Sequence, residues 1–176
     1  LMTILALDFG GTQVKSALVS ERFAIEKSLP TQSSPQTLEQ AIDVIDQIVT
    51  SVETDLSGIA ISVPGTVYTE EGVIYHGGLL RFFHGFRIKE VLEAKYHLPV
   101  MALNDGKAAA LAELATGHLQ GVANGAALVL GSGLGGGFII NGKLFQGSHF
   151  QAGELTFLLP VQMEKVDPSL MRGMTL

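Results

Sequence analysis

Apolar and polar positions change their period several times along this chain, and each change marks an element. Ile4–Asp8 and Val14–Val19 read as short strands, and Phe23–Leu29 as a third. Ser33, Ser34 and Pro35 form a helix-start signal. Beyond it Leu38, Ile42, Ile45, Val49 and Val52 recur at spacings of 4, 3, 4 and 3, the apolar stripe of an amphipathic helix. Gly58–Val63 is a buried-strand run ended by Pro64-Gly65. Val67–Tyr75 predicts a hairpin about Glu70-Glu71-Gly72, and Ile88–Tyr96 a short helix. Pro99–Leu103 predicts a strand that delivers Asn104-Asp105 to an Ala-rich helix over Gly106–Thr116, whose packed face is expected to carry Ala108, Leu111, Ala112 and Ala115.

A second unit follows. Ala126–Leu130, Leu134–Ile140 and Lys143–Phe145 predict three strands, and Asn141-Gly142 between the last two is a strong hairpin signal. The strand-turn-strand layout of residues 4–19 thus recurs at 126–145, although the sequences do not repeat. Strands alternating with helices predict an α/β chain of two lobes of similar topology, with a boundary near residues 117–124.

Composition narrows the function. The 176 residues are 47% hydrophobic, 16% charged, and have a mean hydropathy of +0.35, enough apolar content to fill a core. A net charge of −6 argues against an electrostatic binder of nucleic acid or membrane surface. Cysteine is absent, which excludes disulfides and thiolate metal sites and favours a reducing compartment. The N-terminal apolar run meets Asp8 too early for a signal peptide or spanning helix, so a soluble, cytoplasmic protein is expected.

The 21 glycines cluster beside apolar runs rather than forming a linker. In Asp8-Phe9-Gly10-Gly11-Thr12 the glycine pair lets backbone N–H groups approach an anion, and Thr12 can donate to a phosphate oxygen. Asp8 can hold Mg²⁺ directly or through water, and Lys15 can add charge. The same letters also suit a plain hairpin turn with an Asp side-chain bond. The second cluster, Gly131-Ser132-Gly133-Leu134-Gly135-Gly136-Gly137, matches G-x-G-x-x-G. A dinucleotide site would need a helix after the glycines, and a strand entering a hairpin follows instead, so a β-hairpin phosphate loop fits better. Neither cluster has the Gly-Lys-Ser/Thr of a P-loop. Asp105 can be a helix N-cap, a general base toward an attacking hydroxyl, or both. Glu154, in a largely uncharged stretch, can be a first-turn helix acid or a ligand group. The five histidines show no metal-ligand spacing, and only His149 lies close to the Gly153-Glu154 pair.

In order and spacing, Leu7–Thr12, Val63-Pro64-Gly65, Leu103–Ala110, Leu130–Gly137, Asn141–Leu144 and Ala152-Gly153-Glu154 together resemble the ROK family of sugar kinases and repressors, over about residues 4–155. The resemblance implies an actin-like, ribonuclease H-like ATPase fold, with an N-terminal lobe over 1–118 and the start of a second, incomplete lobe over 119–176. It implies ATP- and Mg²⁺-dependent phosphorylation of a hexose, usually at the 6-hydroxyl, with Asp105 as the base. Asn104 and Glu154 would bind sugar hydroxyls and Gly65 would lie near the sugar through its backbone. His149 joins them as a substrate-side candidate. Asp8, Gly10, Gly11, Thr12, Lys15, Gly131, Ser132, Gly133, Gly135 and Gly136 would surround the phosphates, with Asp8 on the metal.

Two departures sharpen the resemblance. The family usually continues Ala-Gly-Glu with an apolar residue, Gly and His, a histidine that ligates structural zinc with three cysteines in many members. Leu155-Thr156-Phe157 stands here and no cysteine exists, so no zinc site is expected. The stretch that often reads Asn-Leu is His76-Gly77-Gly78-Leu79-Leu80, so one polar sugar contact is missing. Zinc-less members that resemble this pattern include β-glucoside kinases. Glucose, N-acetylmannosamine and β-glucosides remain open as substrates, and a homodimer is common among similar proteins. A sugar-responsive regulator and a non-catalytic sugar-binding module are the competing functions.

Overall fold

The computed structural model describes residues 2–131 and 133–156. Those residues form two compact units, one up to Asn104 and one from Asp105 onward. Contacts therefore divide the chain at the strand-to-helix step that delivers Asp105, ahead of the 117–124 stretch, because the Ala-rich helix packs on the strands that follow it.

The first unit is a sheet with helices. Its strands are β1 (Thr3–Phe9), β2 (Gln13–Ser20), β3 (Ile25–Ser28), β4 (Gln32–Ser33), β5 (Gly58–Val63) and, after three strands of a separate sheet, β9 (Val100–Asn104). The order is β3-β2-β1-β5-β9, with β4 also pairing β2. β1 runs antiparallel to β2 and parallel to β5, and β5 is parallel to β9. Alternation puts Leu5, Leu7 and Phe9 of β1, Ile59, Ile61 and Val63 of β5, and Val100 and Ala102 of β9 into one buried cluster. Ala41, Ile45 and Ile48 of α1 (Leu38–Thr50) and Ile88 and Leu92 of α2 (Ile88–Tyr96) join it. The same alternation turns Asp8 and Ser62 to the other face.

Two expectations for this unit change. The first helix starts at Leu38, not beside Ser33-Ser34-Pro35; Thr37 is its N-cap and accepts a hydrogen bond from the Gln40 N–H at 3.2 Å. Its buried face centres on Ala41, Ile45 and Ile48, with Leu38, Val49 and Val52 only partly buried at the flanks. Ser33 instead ends β4, and Ser34 braces the first glycine turn. A three-stranded meander, β6 (Thr66–Tyr68), β7 (Val73–Tyr75) and β8 (Phe86–Arg87), completes the unit.

The second unit holds α3 (Asp105–Thr116) and an antiparallel meander of β10 (Gly125–Leu130), β11 (Leu134–Ile140) and β12 (Lys143–Phe145). Asn141 and Gly142 both take positive φ, 53° and 70°, as the predicted tight hairpin requires. The packed face of α3 differs from the expected one. Gly106, Lys107 and Ala110 are buried, whereas Leu111 and Ala112 are exposed. Glycines on both sides select that face. A Cβ on Gly106 would stand 2.5 Å from the Gly136 nitrogen, and one on Gly137 would stand 2.6 Å from the Ala110 Cβ. Backbone meets backbone here at distances no side chain allows. Among the described residues no helix is long and apolar enough to cross a membrane.

Candidate active site

In the first unit, the phosphate-turn candidates lie where β1 hands over to β2. Phe9 anchors the turn from below, fully buried and edge-on to Phe83 with ring centroids 5.5 Å apart. The turn closes with the Gly10 N–H donating to the Gln13 carbonyl at 2.9 Å. Ser34 braces it from β4's end: its hydroxyl donates to the Gly10 carbonyl at 2.8 Å and its N–H to the Thr12 carbonyl at 3.0 Å. Gly11 and Thr12 are exposed at the tip.

Asp8 is exposed beside that turn, and its register neighbours are Lys15 on β2 and Ser62 on β5. The Ser62 hydroxyl donates to Asp8 Oδ1, which sets the direction in which the carboxylate points. An oriented, exposed carboxylate oxygen suits Mg²⁺, which prefers oxygen and keeps its waters. Among the described residues no group of three or more His, Asp or Glu is placed to cage a metal, so a cation at Asp8 would be completed by water and phosphate oxygens.

Asn104 and Gly65 are brought together. Asn104 is only 2% exposed, and its side-chain amide donates to the Gly65 carbonyl at 2.9 Å. Gly65 has φ of 95°, and a Cβ there would collide with the His76 carbonyl oxygen and stand 2.7 Å from the Gly78 nitrogen. Only glycine fits this turn, so the Pro64-Gly65 backbone is seated on His76–Gly78.

In the second unit, Asp105 is the first residue of α3 and is exposed, with Oδ1 accepting from the Gly106 N–H at 2.8 Å. An acid here is favoured by the helix dipole. Glu154 is half-buried after a turn in which its N–H donates to the Gln151 carbonyl at 3.1 Å. Within the electrostatic reach of both acids the structure supplies a group that sequence reasoning passed over. Lys107 is 1% exposed, and its ammonium donates to the Phe150 carbonyl at 2.6 Å. Burial pulls its pKa down from the ordinary lysine value, against the opposing fields of Glu154 and Asp105. His149 is exposed.

The second glycine cluster divides in two. Gly131 and Gly133 make the turn between β10 and β11, closed by the Gly131 N–H on the Gly133 carbonyl at 3.0 Å. Thr156, another unanticipated residue, pins the turn's base: its hydroxyl accepts from the Leu134 N–H at 2.9 Å and donates to the Leu134 carbonyl at 3.0 Å. Gly135 and Gly136 lie inside β11, paired with Val129 and Leu128, and Gly136 is buried against Gly106 and Gly153. Ser132 lies outside the described residues.

The ROK family profile matches residues 4–166. A β-glucoside kinase of Listeria monocytogenes is 37% identical over 157 residues, which is 89% of this chain and 53% of that protein. Other curated relatives are named glucokinase or N-acetylmannosamine kinase. A ROK family protein from Streptococcus pneumoniae, solved with sucrose, superposes with a TM-score of 0.79 at 38% identity, covering 92% of this chain and 54% of that one. A ROK glucokinase from Streptomyces griseus, solved with glucose and AMPPNP, gives 0.77 at 28% identity, covering 86% and 49%. A ROK family transcriptional regulator gives 0.75 at 25%, covering 88% and 40%. The chain spans about half the length of the curated relatives it matches, and its fold is that of the actin-like ATPases to which the sugar kinases belong.

Proposed function

The chain belongs to the ROK family, and from that premise we propose that the intact protein is an ATP-dependent sugar kinase. It would transfer the γ-phosphoryl group to the 6-hydroxyl of a hexose or β-glucoside. Residues 1–118 would be its N-terminal actin-like lobe and 119–176 the opening of the second.

The observation that carries this reading is Asp105, an exposed carboxylate fixed at the first residue of α3 by the Gly106 N–H. Phosphoryl transfer asks the protein mainly to position groups and stabilise charge. Asp105 would accept the proton from the attacking hydroxyl. Asn104, Glu154 and the Gly65 backbone would hold the sugar, with exposed His149 at its margin. The Gly10–Thr12 turn, with Lys15, and the Gly131–Gly133 turn would offer N–H groups, the Thr12 hydroxyl and positive charge to the ATP phosphates. Asp8, oriented by Ser62, would hold Mg²⁺ through its waters; when bound, the cation would neutralise charge developing on the phosphates. A reducing cytoplasm is the natural setting for a cysteine-free protein acting on free sugars, and a homodimer is the assembly we expect.

The test is ADP release by the intact protein with Mg·ATP across glucose, N-acetylmannosamine, cellobiose and aryl β-glucosides. Release that depends on one of these sugars is expected. The regulator's similarity favours one second reading, a sugar-responsive binding protein, and that reading predicts saturable sugar binding with no ADP release.

A further inference from the structure

Among the described residues of the second unit, the most unusual charge is Lys107, which the proposed reaction does not yet use. A lysine is almost never fully buried unless something compensates it. Here the compensation is directional. Side chains on a helix lean toward its N-terminus, and Lys107 lies two residues beyond Asp105 at that end of α3. Its ammonium meets the Phe150 carbonyl, four residues before Glu154.

The segment it grips is tightly formed. The Ala152 N–H donates to the Gln146 carbonyl at 3.1 Å and the Phe150 N–H to the Gly147 carbonyl at 3.3 Å. Phe150 itself has a positive φ of 56°, a conformation that side-chain-bearing residues adopt only when their surroundings hold them there. Gly153 lies so close on β11 that a Cβ would collide with the Gly136 carbonyl oxygen. Glu154 therefore leaves from a segment fixed at two points, the Gly136 backbone and the Lys107 ammonium.

We propose that Lys107 is a positioning residue for the phosphoryl transfer proposed above. Its buried ammonium ties the Gln146–Glu154 segment to the first turn of α3, so that Glu154 and Asp105 are held together as charged, oriented carboxylates. The inference rests on the kinase reading.

Among the described residues, few other charges compete with it. Strands β10 and β11, packed on α3, bring no titratable side chain, and β12 brings only the exposed Lys143. The 146–154 segment adds exposed His149 beside Glu154, and α3 itself carries Glu113 at its far end, hydrogen-bonded to His118. The mutual fields of Lys107 with Glu154 and Asp105 act in the direction the inference requires.

The test compares the intact wild type with Lys107→Met and Lys107→Arg, reading sugar-dependent ADP release against pH and circular dichroism for folding. In Lys107→Met the acid limb of kcat/KM is expected to move up by about one pH unit, because both carboxylates lose a nearby cation. KM for the sugar should rise about tenfold, with KM for ATP nearly unchanged. Lys107→Arg, which keeps the charge, should leave the acid limb at the wild-type pH. A folded Lys107→Met with wild-type acid limb and sugar KM overturns the inference. Should the Met variant not fold, an Arg variant whose acid limb moves up by a unit overturns it as well. A wild type with no sugar-dependent ADP release is a separate outcome, which overturns the kinase reading itself.

Discussion

The two glycine clusters look alike as sequence and do different work as structure. At Gly10-Gly11 the glycines lie in an open turn. Its base is held by Phe9 on Phe83 and its sides by Ser34, so the backbone is rigid and its tip exposed. In the second cluster only Gly131 and Gly133 lie in a turn. Gly135, Gly136 and Gly137 are strand residues, and the last two let α3 and the 147–153 segment approach the β11 backbone directly. One glycine-rich cluster is thus wholly a proposed phosphate cradle, and the other is half such a cradle and half packing surface. The units also differ in where they keep charge. The first clasps α1 to α2 with an accessible cluster in which Lys95 and Tyr96 both bond Asp46, whereas the second buries Lys107.

The largest expected effect comes from Gly136→Ala. A Cβ there would collide with the Ala127 carbonyl oxygen, so the variant should lose about 3 kcal/mol in urea unfolding. A wild-type midpoint would mean that Gly136 is not a packing glycine. Next is Ser34→Ala, which removes a half-buried hydroxyl from the Gly10 carbonyl. It should cost about 1 kcal/mol of stability and raise KM for ATP while leaving KM for the sugar alone. Equal changes in both would show that the brace does not act through the first turn.

A smaller effect is expected from Asp46→Asn. Burial opposes ionisation of Asp46, but hydrogen bonds from Lys95 and Tyr96 outweigh it and hold the pKa below the usual aspartate value. The clasp's contribution is therefore fully present above the unfolded pKa of about 3.9 and is lost as pH falls through the lower folded value. With the Asp46 side chain 34% exposed, the variant should lose only about 0.5 kcal/mol near neutrality. In urea unfolding followed from pH 7 to pH 2 that deficit should vanish at the acid end; a deficit that persists there would remove the electrostatic account. The smallest stability effect belongs to Gly131→Ala. A Cβ at Gly131 meets nothing within 4 Å, so stability should stay within about 0.5 kcal/mol of wild type, while KM for ATP rises because the methyl group crowds the cradle. An unchanged KM would reduce the second cluster to packing alone.

Most elements were legible because their periods are clean. Ile88–Tyr96, Leu134–Ile140 and Lys143–Phe145 appear with the bounds their patterns predict, and Asn141-Gly142 makes the expected turn. What escaped notice depends on tertiary partners. Ser34 carries the same letters as a helix cap, and only the pairing of β4 with β2 reveals that it serves the glycine turn. The buried face of α3 could not be read from an Ala-rich repeat, because the choice is made by Gly136 and Gly137 on another strand. Lys107 lies inside the family-like run Asn104–Ala110, yet a lysine among alanines reads as a solvated charge until its burial is known. Ser62 had a usable signal, a polar residue on the open face of a strand beside Asp8, though the pairing of β1 with β5 was needed to use it.

The most direct test of the central claim is Asp105→Asn in the intact protein, with sugar and ATP binding measured by calorimetry beside turnover. The substitution keeps the size and the helix-start position of the side chain but removes its capacity to take a proton. Turnover should fall at least about a hundredfold, while both affinities stay within about threefold of wild type. Sugar-dependent ADP release at the wild-type rate would contradict the assignment of Asp105 as the base.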